Sequence, residues 1–433
     1  MFTACILPMT TALTPNAVPR SADPIKSEVD YETLAEKFRP IFADIAQGVV
    51  ERERDHVLPF QQIDALKNAG FGAVRVPTTH GGSGASIPQL IRLLVELSSA
   101  DSNITQALRG HFAFVEDRLV ADPGPERDIW LRRFAEGQLV GNAWTEIGDV
   151  ALGEANTKVS PAPDADHFLA NGAKFYSTGS IFADWIDLYS QRTDTGAFVI
   201  AAVEARQPGV THSDDWNGFG QQTTGSGSSV YEDAIVQPEN IFDFSTRFKY
   251  QTAFYQLFHL ATLAGIAKAA TIEISRRVAS RTRTFSHGNA PRYAQDSQIQ
   301  QVVGEVSSAA FAAEAVALHA AQSSQWAYEA AFSGSPEEEK AANIAAEIDS
   351  GRGQVASIGL VVPATAKIFD ALGASGVSRD LDLDRFWRNA RTVASHNPVV
   401  FKSKVVGDYE INRTEPIYVW AIGTAPTEKD EQA

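Results

Sequence analysis

Between Asp30 and Gly137 apolar residues recur at helical spacing. Tyr31, Leu34, Phe38, Ile41, Phe42 and Ile45 fall three and four apart, which places them on one helix face. A second helical stretch ends at Gly70. The turn-rich segment VRVPTTHGGSGAS then separates it from the long helical run PQLIRLLVELSSADSNITQALRGHFAFVEDRL. From Leu139 the pattern changes to short segments, FLANGAKFYSTG, WIDLYSQ, AFVIAAVEA and SSVYEDAIV, divided by Asn-Gly, Asp-Thr-Gly and Pro-Gly signals of the kind that punctuate hairpins. After Phe248 the strands stop. Ala-rich helical periodicity runs through 251–286, 296–333, 337–371 and 380–394, predicting four antiparallel helices. The predicted fold class is α+β: a disordered leader (1–27), an N-terminal α-helical domain (28–138), a middle β-domain (139–248, with SSVYEDAIV as its last strand), a C-terminal four-helix bundle (249–415) and a tail (416–433).

Composition narrows the function classes. A chain of 433 residues with 44% hydrophobic and 21% charged residues has the make-up of a soluble globular protein of two or three domains. Its net charge of -16 argues against nucleic acid or an anionic membrane surface as the main partner. The single cysteine, Cys5, excludes disulfide frameworks and Cys-based zinc sites and fits a reducing cytoplasm. The leader lacks a basic segment and is interrupted by prolines, so it makes a poor secretory signal. No apolar run was expected to approach the ~20 residues of a membrane span.

Motifs for common chemistries are missing or incomplete. Gly351-Arg-Gly353-Gln-Val-Ala lacks the third glycine of a dinucleotide fingerprint and follows a helical run instead of a strand. The nine histidines have no metal-ligand spacing, so no metal is expected. The stretch DDWNGFGQQTTGSGSS (214–229) admits two readings: a solvated linker, or a cradle in which glycines let the backbone approach a phosphate while Ser226 and Ser228 offer hydroxyls.

The order α, β, four-helix α, with TTHGGSGAS in the first domain and GNAWTE opening the second, resembles the acyl-CoA dehydrogenase superfamily over about residues 28–415. GNAWTE, GAKFYSTG, DDWNGFGQQTTGSGS and DRFWRNARTVASHNPVVFK together look most like its flavin-dependent monooxygenase branch, that of dibenzothiophene monooxygenase and the sulfur-acquisition oxidoreductases. The resemblance implies a flavin between β-domain and bundle and so favours the cradle. Ser226 matches the serine at the phosphate end and Trp216 the tryptophan beside the ring. Asn142 and Thr145 resemble the polar residues at the isoalloxazine edge, and Tyr176 and Thr178 stand where the family puts an aromatic and a hydroxyl near flavin N5. Arg283, with Arg281 as the alternative, resembles an arginine that reaches a flavin phosphate across a subunit boundary. The segment containing Ser375 and Gly376 resembles the glycine turn that completes that site, with Ser375 where dibenzothiophene monooxygenase has arginine.

Common acyl-CoA dehydrogenases place a catalytic glutamate about nine residues after an Arg-Asp-Ala-Arg-like motif. Counted from Arg388-Asn-Ala-Arg391, that place holds Asn397, next to His396. The resemblance therefore implies oxygenation. Reduced FMN from a separate reductase would react with molecular oxygen to a C4a-hydroperoxide, with His396 supplying or holding a proton near its ordinary pKa of about 6.5. His111 matches a second active-site histidine on the opposite wall, and Phe112, Phe114, Phe175, Tyr176 and Trp216 would keep water out. The expected substrate is a small organic sulfide or sulfoxide, with N- or C-hydroxylation as the nearest variant. An FAD-dependent acyl-CoA dehydrogenase with its base on another helix, or a non-catalytic member, are the rival readings. A homotetramer is implied.

Overall fold

The computed structural model describes residue 24 and residues 29–147, 154–163 and 166–417. The expected leader and tail lie outside the described residues, apart from Pro24 and residues 416–417.

The N-terminal domain holds α1 (Tyr31–Ala46), α2 (Val49–Arg54), α3 (Phe60–Asn68), α4 (Ile87–Ala100), α5 (Ser102–Ala107), α6 (Arg109–Val120) and α7 (Pro125–Ala135). Ser86 and Gln89 form a capping box at the start of α4, with Pro88 in its first turn. The long run that reads as one helix is in fact three. Asp101 turns extended (φ -155°, ψ 110°) and caps α5 by accepting from the Asn103 N–H, and Leu108 separates α5 from α6. Every residue of α6 is buried, so it presents no polar face to solvent.

The β-domain comprises β1 (Val140–Ala143), β2 (Thr145–Glu146), β3 (Lys158–Pro161), β4 (Phe168–Phe175), β5 (Trp185–Arg192), β6 (Phe198–Glu204), β7 (Val210–His212), β8 (Ser229–Val236) and β9 (Ile241–Asp243). They form a sheet ordered β7-β8-β4-β3-β5-β6-β9, with β1 added parallel to β5 and β2 antiparallel to β4. Two details differ from the sequence reading. Asn171-Gly172 is a bulge inside β4, where the register to β8 shifts and a Cβ on Gly172 would meet Thr157 Cα at 2.7 Å. The last strand is β9, a short partner of β6.

The bundle contains α8 (Gln251–Ser280), α9 (Ser297–Ala330), α10 (Pro336–Leu372), α11 (Arg385–Ser395) and α12 (Val399–Asn412). Its first helix stops at Ser280, because Arg281 is extended and the following TFSHGNAP run does not hold a helix. Its fourth member is broken at Asn397-Pro398 and resumes as α12. By length and composition three of these helices could cross a membrane, contrary to the sequence reading. Alanine and leucine make them apolar for packing: α8 is the most enclosed, and Gly265 lies so close to α4 that a Cβ would meet Ser98 Cβ at 2.3 Å. The Ser98 hydroxyl donates to the Thr262 carbonyl across the same contact (2.9 Å).

Candidate active site

A cavity of about 540 Å³ opens where the three domains meet. That is the range of small-molecule and cofactor sites.

The β-domain wall is built on the 214–228 loop. Three hydroxyls converge there: Ser226 Oγ lies 2.7 Å from Thr178 Oγ1 and 2.7 Å from Thr224 Oγ1, and the latter donates to the Gln221 carbonyl (2.9 Å). Trp216 is held by its indole N–H donating to the Gly220 carbonyl (3.1 Å) and meets Tyr176 edge-on at 5.8 Å. Tyr176 adopts φ 60°, a left-handed conformation unusual for an aromatic residue, and leaves its ring at the cavity wall. At Gly220 a Cβ would strike the Arg388 carbonyl oxygen at 2.3 Å, so only glycine lets the loop lie on α11.

Anchors from the helical domains fix this loop. The Gln221 N–H donates to Asn389 Oδ1 (2.5 Å), and Asn389 Nδ2 donates to both oxygens of Glu53 (2.9 Å each). Asn103 also donates to Glu53 (3.2 Å) and accepts from the Thr223 N–H (3.3 Å). Burial raises the Glu53 carboxyl to about 7, against the pull of the Asn389 hydrogen bonds.

The helical wall comes from α5, α6, α8 and the end of α11, through Gln106, Arg109, Tyr255, Thr392, His396 and Asn397. Asn397 donates to Gln256 Oε1 (3.1 Å), and its carbonyl accepts from Gln354 (2.7 Å). His396 Nδ1 is 3.3 Å from Asn397 Oδ1, and its ring lies 4.3 Å from that of His259, centroid to centroid. His396 is exposed, and its free surface borders the cavity. Desolvation by the neighbouring protein first, then the Arg109 charge, lower its pKa from the ordinary 6.5, against the Asn397 hydrogen bond. His396 is therefore neutral at physiological pH. In that form it can take a proton at one nitrogen and release one from the other.

Asn142, Thr145, Tyr176, Thr178, Trp216, Ser226 and His396 all line this one cavity. Other expected residues do not. His111 is buried in the N-terminal domain, where its Nε2 bonds the Gly72 carbonyl (2.8 Å) and its Nδ1 accepts from the Val140 N–H (3.2 Å). Burial lowers its pKa to about 4. With both nitrogens occupied by backbone, His111 docks β1 onto the helices, and the wall expected from it is supplied by Gln106 and Arg109. Phe112 and Phe114 are core residues, packed on Phe71 and Trp130. Phe175 packs against Tyr176 behind the wall.

Arg283, Ser375 and Gly376 lie outside the cavity, at the opposite end of the bundle. Arg281 and Ser375 share the Leu372 carbonyl as acceptor (2.7 and 3.1 Å), and Arg283 is exposed two residues further along. The end of α8 is roughly 30 Å from His259 along the helix axis.

The donor set suits a flavin ring. Gln106 Oε1, Asn142 Oδ1, Gln221 Oε1, Thr392 Oγ1 and Arg109 Nε are buried without partners among the described residues, and all belong to lining residues. The two on the β-domain side, Asn142 Oδ1 and Gln221 Oε1, are acceptors that match the ring N–H groups of a planar heterocycle. Arg109 is the only Lys or Arg in the lining, so a phosphate end would need cations from elsewhere. No Asp or Glu lines the cavity among the described residues.

Comparison with known proteins agrees with this arrangement. The acyl-CoA dehydrogenase N-terminal domain family matches residues 30–138, and the C-terminal domain family matches residues 257–401. Dibenzothiophene monooxygenase of Mycolicibacterium goodii is 27% identical over 384 residues, covering 85% of this chain and 91% of that protein. The probable FMNH2-dependent monooxygenase SfnC of Pseudomonas putida is 26% identical over 390 residues, covering 87% and 94%. The solved complex of TdsC from Paenibacillus sp. A11-2 with FMN and indole superposes with a TM-score of 0.79 at 25% identity, covering 90% of this chain and 99% of that one. The chain belongs to the acyl-CoA dehydrogenase superfamily, in its flavin-dependent monooxygenase branch.

Proposed function

We propose that this protein is the oxygenating component of a two-component system. It takes reduced FMN from a separate flavin reductase and transfers one atom of molecular oxygen to a small organic substrate, at sulfur. The observation that carries this reading is the absence of any carboxylate from the cavity lining among the described residues, with His396 and Asn397 at the end of α11. An acyl-CoA dehydrogenase needs a carboxylate to remove an α-proton, and the described lining offers none. Reduced FMN, when bound, supplies two electrons and the C4a carbon at which oxygen is activated as the hydroperoxide.

The protein's own groups do the rest. Thr178, Thr224 and Ser226 present a preformed cluster of hydroxyls, and Asn142 and Gln221 offer acceptors for ring N–H groups. Trp144, Tyr176, Trp216, Phe219 and Tyr255 keep the lining apolar and limit the water that would divert activated oxygen to peroxide. His396 moves a proton to the site of oxygen transfer, with Asn397 fixing its ring.

The assembly proposed is a homotetramer in which a neighbouring copy brings the Arg283 and Ser375-Gly376 segment to the phosphate end. Exposed Ile272, Phe311, Val400, Phe401 and Ile411 on the bundle support such association. The function is tested by incubating the chain with NADH, FMN, oxygen and a panel of organic sulfides, with and without a flavin reductase. Sulfoxide that forms only with the reductase supports the reading. Bleaching of a tightly bound FAD by acyl-CoA overturns it.

A further inference from the structure

The only formally charged side chain lining the cavity among the described residues is a cation, in a chain whose net charge is -16. Arg109 opens α6 at 6% exposure, with no hydrogen bond or ion pair among the described residues and with Nε unpartnered. Its one close interaction is with the Tyr255 ring, 5.0 Å from the guanidinium carbon. Of the other buried arginines, Arg75 pairs with Glu116 and Arg247 with Asp187 at 2.8 Å, Arg52 with Asp101 at 3.1 Å and Arg118 with Asp117 at 2.5 Å, while Arg385 donates to the Leu381 and Asp382 carbonyls. A buried guanidinium without an anion is costly, and this one is retained at a cavity wall. Desolvation first, and the Arg109 charge after that, favour the neutral forms of His396 on the same wall and of His259 beside it, and no acid lies in the described lining.

That side is formed by α6, α8 and the end of α11, whereas the hydroxyl cradle is on the β-domain side. We infer that Arg109 is the counter-ion of the substrate, and that the molecule oxygenated here carries an oxoanion of the sulfinate, sulfonate or carboxylate class next to its reacting atom. The guanidinium fork matches such a group with two parallel hydrogen bonds, and Gln106 offers its amide beside it. The inference rests on the oxygenase reading for what happens to the substrate but not for how it is bound.

The test therefore uses binding without turnover. Trp144 and Trp216 line the cavity, so the intrinsic fluorescence of the flavin-free chain reports its occupancy. The chain is titrated with benzenesulfonate and with its neutral counterpart methyl phenyl sulfone, and reduced FMN affinity is measured separately under anaerobic conditions. The expected result is about a tenfold or greater preference for the sulfonate, the scale of a hydrogen bond to a charged group. Arg109→Gln should bring the two ligands within about threefold, Arg109→Lys should restore part of the preference, and both should bind reduced FMN nearly as the parent does. Equal or tighter binding of the sulfone by the parent chain, or no sulfonate binding, overturns the inference whether or not the variants fold. A tenfold loss of FMN affinity in Arg109→Gln with the sulfonate preference intact would assign the arginine to the flavin instead. Loss of sulfoxide formation with the sulfonate preference intact would count against the oxygenase reading alone.

Discussion

The two walls of the cavity are finished to different degrees. On the β-domain side Ser226, Thr178 and Thr224 satisfy one another, Trp216 is tied to Gly220, and Asn389 and Glu53 clamp Gln221. On the helical side Gln106 Oε1, Arg109 Nε, Thr392 Oγ1 and both nitrogens of His259 are buried without partners among the described residues, against Asn142 Oδ1 and Gln221 Oε1 on the β-domain side. A wall whose hydroxyls and loop anchors are paired internally is held in shape before anything binds, and with Asn142 and Gln221 left to meet a ring it suits a cofactor that arrives and leaves unchanged in shape. A wall with open donors and acceptors gains them back only from a ligand, and it suits the reacting partner.

The largest effect expected from breaking this division is at His396. His396→Asn keeps a hydrogen-bonding group but cannot relay a proton, so oxygenated product should fall about 10²–10⁴-fold while hydrogen peroxide rises and flavin still binds. Product and peroxide measured together check this; parent-level coupling would make the histidine structural. Next comes the clamp. Asn389→Ala removes two of the hydrogen bonds to Glu53 and leaves the Gln221 N–H without its acceptor, and should lower stability by about 1.5–3 kcal/mol, read by denaturant unfolding.

The same clamp gives a pH dependence. Glu53 has a folded pKa near 7, above its ordinary 4.5, so the native state holds an extra proton between those values. Its contribution to stability is present at low pH and is lost as pH rises through about 7. Glu53→Gln should flatten the thermal midpoint between pH 5 and 8, and an unchanged slope would remove Glu53 as its source. The smallest effect is on the closed wall: Ser226→Ala should weaken reduced FMN binding by about 0.5–1.5 kcal/mol, measured by anaerobic titration.

Much of this was legible in the chain. The switch from helical to alternating periodicity at Leu139 and back after Phe248 marks the three domains, because each pattern reports which face must be buried. The cradle was readable from glycines next to hydroxyls, and the missing carboxylate from Asn397 after RNAR. His111 misled for a physical reason. All twelve positions of α6 are buried, so no polar face tells which residues point to the cavity, and the break at Leu108 that turns Arg109 inward is set by tertiary packing. One signal was available: Arg109 has no acidic residue three or four positions away in a helix that goes wholly into the core. His259 and Tyr255 on α8 reach the site region only through the docking of bundle on sheet, which periodicity does not describe.

The central claim is that this cavity oxygenates and does not dehydrogenate. A single turnover with chemically reduced FMN, 18O-labelled oxygen gas and an aryl sulfide carrying a carboxylate, in unlabelled water and without reductase, tests it most directly by mass spectrometry of the product. Oxygenation puts one 18O atom in each sulfoxide molecule. Unlabelled sulfoxide, or reduced flavin fully consumed with all oxygen recovered as hydrogen peroxide, would contradict it.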